Sequence, residues 1–336
     1  MKNLFPHLKK ITLALSLFSV GTALQAQDFS VPLKEIYEEV IEKNAHQASQ
    51  NCLSLAQQLQ HPISQPSTIR PAFTQLVKDW KTVQATYILG DLNEDFLDTP
   101  SRIDIFRQGK EDWQSQINRA LSSQSDAKTA LFKHSSRSIN ALEFVLFQDE
   151  KLSDREHAFA QHIAQSICHH LSNIAQAYSQ EKDNFLSQQD KALSYIVHSL
   201  SSSIFAARDW RIGDSRGLSR KYKGKPDIRR AEYFLSQLST QALQSIFKTH
   251  QEMLGDHTQS RLYAILASHK EAKLASDIQA NLQKIRTILD SLENEQALFD
   301  HADELYHISH QLYRQYYISM VAALPIVAKV LDADGD

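Results

Sequence analysis

One short run concentrates the chemistry of this chain. In Ser138-Ile-Asn140-Ala-Leu-Glu143-Phe-Val-Leu-Phe147, a hydroxyl, an amide and a carboxylate are set into an otherwise apolar stretch. A helix turns about 100° per residue, so Asn140 and Glu143 fall about 60° apart on one face. Ser136 joins that face if the helix starts early enough. Ile139, Leu142, Phe144, Val145, Leu146 and Phe147 cover the remainder, and a helix apolar nearly all round is a buried one. An ionised carboxylate buried alone is very costly. Glu143 therefore requires a cation, several hydrogen-bond donors or a raised pKa. The residue pattern leaves two readings open: a ligand or metal site, and a structural salt bridge to one Arg.

Other constellations are weaker. His301, Glu304, His307 and His310 suggest metal ligands, but His301 and His307 diverge by about 120° on a helix, which favours solvated polar residues. The adjacent His169 and His170 diverge likewise, and Cys168 beside His169 is not a nucleophile pair for the same reason. Trp80 and Trp113 suit either a cleft wall or the core, with the core favoured. The sequence has no Gly-x-Ser-x-Gly elbow, Walker loop or His-Glu-x-x-His. A zinc peptidase site calls for three protein ligands, an open position and a general base.

The elements that must position Glu143 are helical. Gly and Pro number only 8 each, and no Pro occurs between Pro100 and Pro226. Pro32 and Pro71 read as first-turn prolines of helices at about 33–60 and 71–89. Residues 90–100 read as irregular, with shorter helices across 102–134. Ser153-Asp-Arg-Glu156 is a capping-box sequence, and Phe159, Ile163, Ile167, Leu171, Ile174 and Tyr178 form one stripe behind it. A helix follows at about 189–210. The basic stretch 211–230, with Gly213, Gly217 and Gly224, reads as an interdomain loop in preference to an anion site. Helices are expected at about 228–253, 257–290 and 294–331, the last kinked or ended by Pro325. A boundary near 188 divides the chain into helical halves, 27–188 and 189–336.

Residues 1–26 form a basic start, an apolar core and an Ala26 cleavage point, the pattern of a secretory signal; no Cys follows for a lipid anchor. Loss of Lys2, Lys9 and Lys10 with this leader takes the formal charge from −3 to −6. That acidity disfavours nucleic acid as a partner, and no later segment is apolar enough to cross a membrane. An oxidising compartment permits a Cys52–Cys168 bridge, but both cysteines sit in apolar helical patterns that favour buried free thiols.

The run 138–147 resembles the signature of the imelysin family of bacterial envelope proteins, Gly-x-His-x-x-Glu followed by an apolar stretch. Glu143 and the tail match, while Ser138 and Asn140 stand where the family has Gly and His. Residues 73–92, 101–117, 207–217 and 230–240 resemble further family blocks in the same order, and Asp334-Gly335-Asp336 resembles the family's ending. The resemblance implies an all-α fold of two helical-bundle halves around a central cleft, and an association with iron acquisition. It also brings Glu232 and Ser236 to that cleft. Replacement of His by Asn140 removes an imidazole ligand, and an amide carbonyl suits harder cations than zinc. The expected protein is periplasmic. It binds, through Glu143, iron or another oxygen-preferring cation, or else a small polar ligand, with Ser138 and Asn140 beside it. Arg102 and Arg208 are expected to neutralise the acid or clamp an anionic ligand. Candidate partners are other envelope iron-uptake proteins. The alternatives are a metallopeptidase and a noncatalytic envelope scaffold.

Overall fold

The computed structural model describes residues 28–63, 65–108 and 111–326. The leader 1–26 and the terminal Asp334–Asp336 lie outside the described residues. Within them every regular element is helical, without a strand. Eight helices carry the packing: α1 (Lys43–Gln58), α2 (Pro66–Ala85), α3 (Ile139–Phe147), α4 (Asp154–Ser187), α5 (Gln189–Ala206), α6 (Ser239–Leu254), α7 (Ala272–Asp290) and α8 (Ala302–Arg314). α1 packs between α2 and α4, and α3 lies on α4. α2 also packs on α6, which packs on α7, which packs on α8. α2 thus lies between the early helices and the late ones.

α4 opens on the capping box expected from Ser153 and Glu156, and its stripe from Phe159 to Tyr178 is buried. α2 begins five residues earlier than the sequence suggests. Pro66 occupies its first turn behind an extended Gln65, while Pro71 sits inside the helix. A residue before proline is driven to extended backbone, so Gln65–Pro66 makes the better start. The expected helix 228–253 shortens to α6. Ahead of it come a 3₁₀ turn at Ile228–Arg230 and a coiled segment in which Tyr233 and Gln237 take φ of 59° and 55°. The expected helix 257–290 breaks into Leu262–Ser268 and α7, with Lys270 left-handed between them. Among the described residues the last helical stretch ends at Ala323, ahead of Pro325.

Cys52 on α1 and Cys168 on α4 form a disulfide, with Cα atoms 5.3 Å apart. This corrects the expectation of free thiols: both helices pack face to face, and the two residues meet at that seam. The bridge closes a loop of 116 residues, which constrains the unfolded chain strongly. Reduction is expected to lower stability by roughly 2–4 kcal/mol, read as a lower urea midpoint with dithiothreitol than without.

Candidate functional site

Glu143 projects from α3. Ser138 caps this helix: its Oγ accepts from Ala141 N at 3.2 Å and donates to Ser135 O at 2.9 Å. Ser138 is fully buried, so its part is to start the helix. Asn140 and Glu143 are each 7% exposed. Both border a cleft of about 560 Å³, together with Phe106, Arg107, Trp113, Asp214, Tyr222 and Arg229.

Glu143 Oε1 accepts two hydrogen bonds from one residue, Ser236 N at 2.8 Å and Ser236 Oγ at 2.7 Å. Among the described residues no Lys, Arg or His forms an ion pair with it. Burial pushes its pKa up to about 7; the Ser236 donors oppose the rise, and the charges of Glu232 and Glu295 add to it. Of the three remedies open to a buried acid, the chain uses donors and a raised pKa. The single-Arg salt bridge is absent.

The interior cations are spent next door. Lys81, on α2, is fully buried and lies 2.6 Å from both Asp104 Oδ2 and Glu232 Oε1. Arg211 Nε donates to Glu232 Oε2 at 2.6 Å, and its Nη2 to Gln84 Oε1 at 2.8 Å. Trp80 Nε1 donates to Asp104 Oδ2 at 2.9 Å, so Trp80 belongs to the core. Burial works to raise the Asp104 pKa, but Lys81 and Arg211 outweigh it and hold the acid down at about 2. Two cations thus balance two carboxylates, and neither is available to Glu143. Arg211 reaches inward from a π-helical stretch, Ala207–Gly213, in which Arg208 and Asp209 are also buried.

The predicted clamp residues lie elsewhere. Arg208 Nε pairs with Asp209 Oδ2 at 2.6 Å, its Nη1 contacts His310 Nδ1 at 2.9 Å, and its guanidinium sits 4.8 Å from the Tyr313 ring centre. Arg102, half-buried, bears on His134 and His170, whose pKa values it helps to lower after burial. Neither contacts Glu143. Ser236 does, and Glu232 joins the buried ion network at the cleft's edge. The cations that border the cleft are Arg107, Arg229 and Arg230. Arg107, with φ of 60°, lies 2.8 Å from Asp214. Arg229 pairs with Asp227 at 2.9 Å, and Arg230 covers the Tyr222 ring at 4.3 Å. The basic stretch 211–230, read as a linker, therefore forms a wall. It is ordered by Asp227 N to Ser215 O at 2.7 Å and Gly224 N to Gly217 O at 2.9 Å. Its string of Lys and Arg was the visible signal.

The donor set does not suit a metal ion. Asn140 Oδ1 already accepts from Ile105 N at 2.8 Å, and both Glu232 oxygens are engaged by Lys81 and Arg211. No group of three His, Cys, Asp or Glu fit to hold a metal occurs among the described residues. Glu143 alone is too few ligands.

These features define an all-helical protein with a buried acid, Glu143, that has no cation among the described residues and sits on a short apolar helix at the edge of a cleft. The chain belongs to the imelysin family: residues 40–308 match its profile. The fold is similar to an imelysin-like protein from Psychrobacter arcticum 273-4, with TM-score 0.74 and 15% identity over 90% of this chain and 97% of that one. It is also similar to a proposed iron-regulated protein A precursor from Parabacteroides distasonis ATCC 8503, with TM-score 0.62 and 11% identity over 86% and 93% of the two chains. The comparison with curated proteins returns no match.

Two measurements check this electrostatic arrangement. Lys81→Met leaves Asp104 and Glu232 facing each other without that cation, and should cost on the order of 3–5 kcal/mol in urea unfolding. For Glu143 the folded pKa lies above the ordinary 4.5, so the folded state holds the extra proton between about 4.5 and 7. Stability should fall as pH rises through that window. Glu143→Gln keeps an oxygen for Ser236 without the charge. It should therefore be more stable than the parent at pH 8, by on the order of 1–3 kcal/mol, and nearly equal at pH 4.

Proposed function

We propose that this chain is an exported, envelope-located imelysin-family protein that binds a small polar organic ligand at the Glu143 cleft in connection with iron uptake. The halves 27–188 and 189–336 meet at this cleft in our reading. The observation that carries the proposal is the free side of Glu143. Oε1 is saturated by Ser236, while Oε2 takes no hydrogen bond from the described residues at the border of a 560 Å³ cleft. Glu232, by contrast, has both oxygens engaged, by Lys81 and Arg211.

The iron connection draws on the family and on the iron-regulated name of the Parabacteroides relative. Because the residues do not suit a bare ion, iron would arrive as an anionic organic chelate. Arg107 and Arg229 keep guanidinium N–H donors beyond those that face Asp214 and Asp227, which suit its oxygens, and Phe106, Trp113 and Phe234 suit its flat organic surface. The metallopeptidase alternative lacks support from the donor set, since the Asn140 carbonyl and Glu232 are already engaged.

Equilibrium dialysis of the mature protein against radiolabelled ferric citrate tests this reading, beside ferrous ion alone. Saturable retention of the chelate is expected, weakened about tenfold or more in Arg107→Ala and in Glu143→Ala, as loss of a charged hydrogen bond predicts. Stoichiometric retention of bare ion, or chelate binding indifferent to both variants, would sink it.

A further inference from the structure

On α3, two polar side chains each present a free atom at the cleft, and these atoms are unlike. Asn140 donates or accepts according to which end of its amide faces the ligand. Here Ile105 N, at 2.8 Å, takes the carbonyl end. The NH₂ end has no acceptor among the described residues and is left to the cleft. One helical turn on, at i+3, Glu143 has Oε1 taken by Ser236 and Oε2 left over. The backbone at Ile105 and Ser236 thus fixes which atom of each side chain is available.

A bound cation would call for two acceptors here, and a bound anion for two donors. The α3 pair offers one of each, one helical turn apart. We infer that the cleft reads an amide group, or a group with the same adjacent N–H donor and C=O acceptor, with Glu143 Oε2 accepting and Asn140 Nδ2 donating. This rests on the organic-ligand reading of the cleft and names the chemical group it recognises. Recognition involves no bond breaking. The guanidinium of Arg107 and the rings of Phe106 and Trp113 suit a carboxylate and an aromatic group attached to that amide. Ionised Glu143 is a pure acceptor, and the charged or titratable groups bearing on it are Glu232, Glu295 and Tyr233. Measurement at pH 8 therefore favours the required state.

N-acetylphenylalanine carries all three groups. Acetyl-phenyllactate is its ester analogue, with oxygen in place of N–H. Titration of each into the mature protein, followed by ligand-detected saturation-transfer NMR, reads the amide directly. The amide should bind about tenfold more tightly, because the ester leaves Glu143 Oε2 without a donor. Asn140→Asp keeps an oxygen for Ile105 N but presents a second acceptor. Glu143→Gln keeps an oxygen for Ser236 but presents a second donor. Each alone should abolish the amide preference, and the double variant N140D/E143Q, with the pair reversed, should regain most of it. Packing roles would instead give losses that add.

Equal binding of amide and ester, binding of neither, or a double variant no better than the worse single one overturns the inference. The amide-to-ester ratio of the parent protein needs no variant, so a variant that fails to fold does not remove the test. Ferric citrate binding with no amide preference would discard this inference and leave the proposed function standing. Amide preference without chelate binding would do the reverse.

Discussion

The hydrogen bonds from Ser236 N and Oγ to Glu143 Oε1 are what make a carboxylate tolerable on α3. The acid is 7% exposed and has no cation beside it, so its desolvation is met only by these two donors and by proton uptake. The neighbouring network explains why no cation is spare. Lys81 and Arg211 already face Asp104 and Glu232, and a third carboxylate drawn into the set would leave it short of positive charge. Glu143 therefore keeps its charge negotiable, whereas Asp104 is held firmly ionised.

The donors themselves come at a conformational cost. Ser236 lies between Tyr233 and Gln237, both left-handed and neither glycine, and such residues cost on the order of 1–3 kcal/mol each. Three contacts hold the segment in place. Glu143 takes the Ser236 N–H, Glu295 takes the Ser239 N–H at 2.9 Å, and Arg70 Nη1 donates to Ser236 O at 2.6 Å. Arg70 in turn rests on the Phe147 ring of α3 at 4.6 Å. The segment that steadies the acid is thus steadied by the helix that carries the acid. Arg107 at the cleft border is a further left-handed residue, so backbone strain gathers around this cleft and is sparse elsewhere.

What the sequence disclosed follows the range of the interactions involved. Burial of Glu143, its common face with Asn140, the capping box of α4 and the all-α class are local patterns, readable within one or two helical turns. The partner of Glu143 is not local. Ser236 is 93 residues away, and its N–H is free only because the chain there leaves the helix that its composition suggests. Lys81 and Glu232 meet across 151 residues, so a lysine that reads as the polar side of α2 is fully buried. Arg102 and Arg208 carry the right charge, but Arg208 is satisfied by its own neighbour Asp209 and by aromatic rings. The Cys52–Cys168 bridge depends likewise on how α1 meets α4.

The departure from the family motif carries its own chemical meaning. An imidazole at position 140 would ligate a metal or exchange a proton near neutrality. An amide does not titrate: it is neutral at every relevant pH, and here its carbonyl, the end that could meet a hard cation, is already engaged by Ile105 N. Ile105 N has settled which end is which. The titratable burden of the pair then falls wholly on Glu143, whose pKa near 7 places its change of charge where an imidazole's would ordinarily lie. Oε2 is thus an acceptor once the proton has left and can be a donor before. Position 140 thus carries a directional, non-titrating side chain, and the response of the pair to pH lies in the acid that the apolar helix isolates.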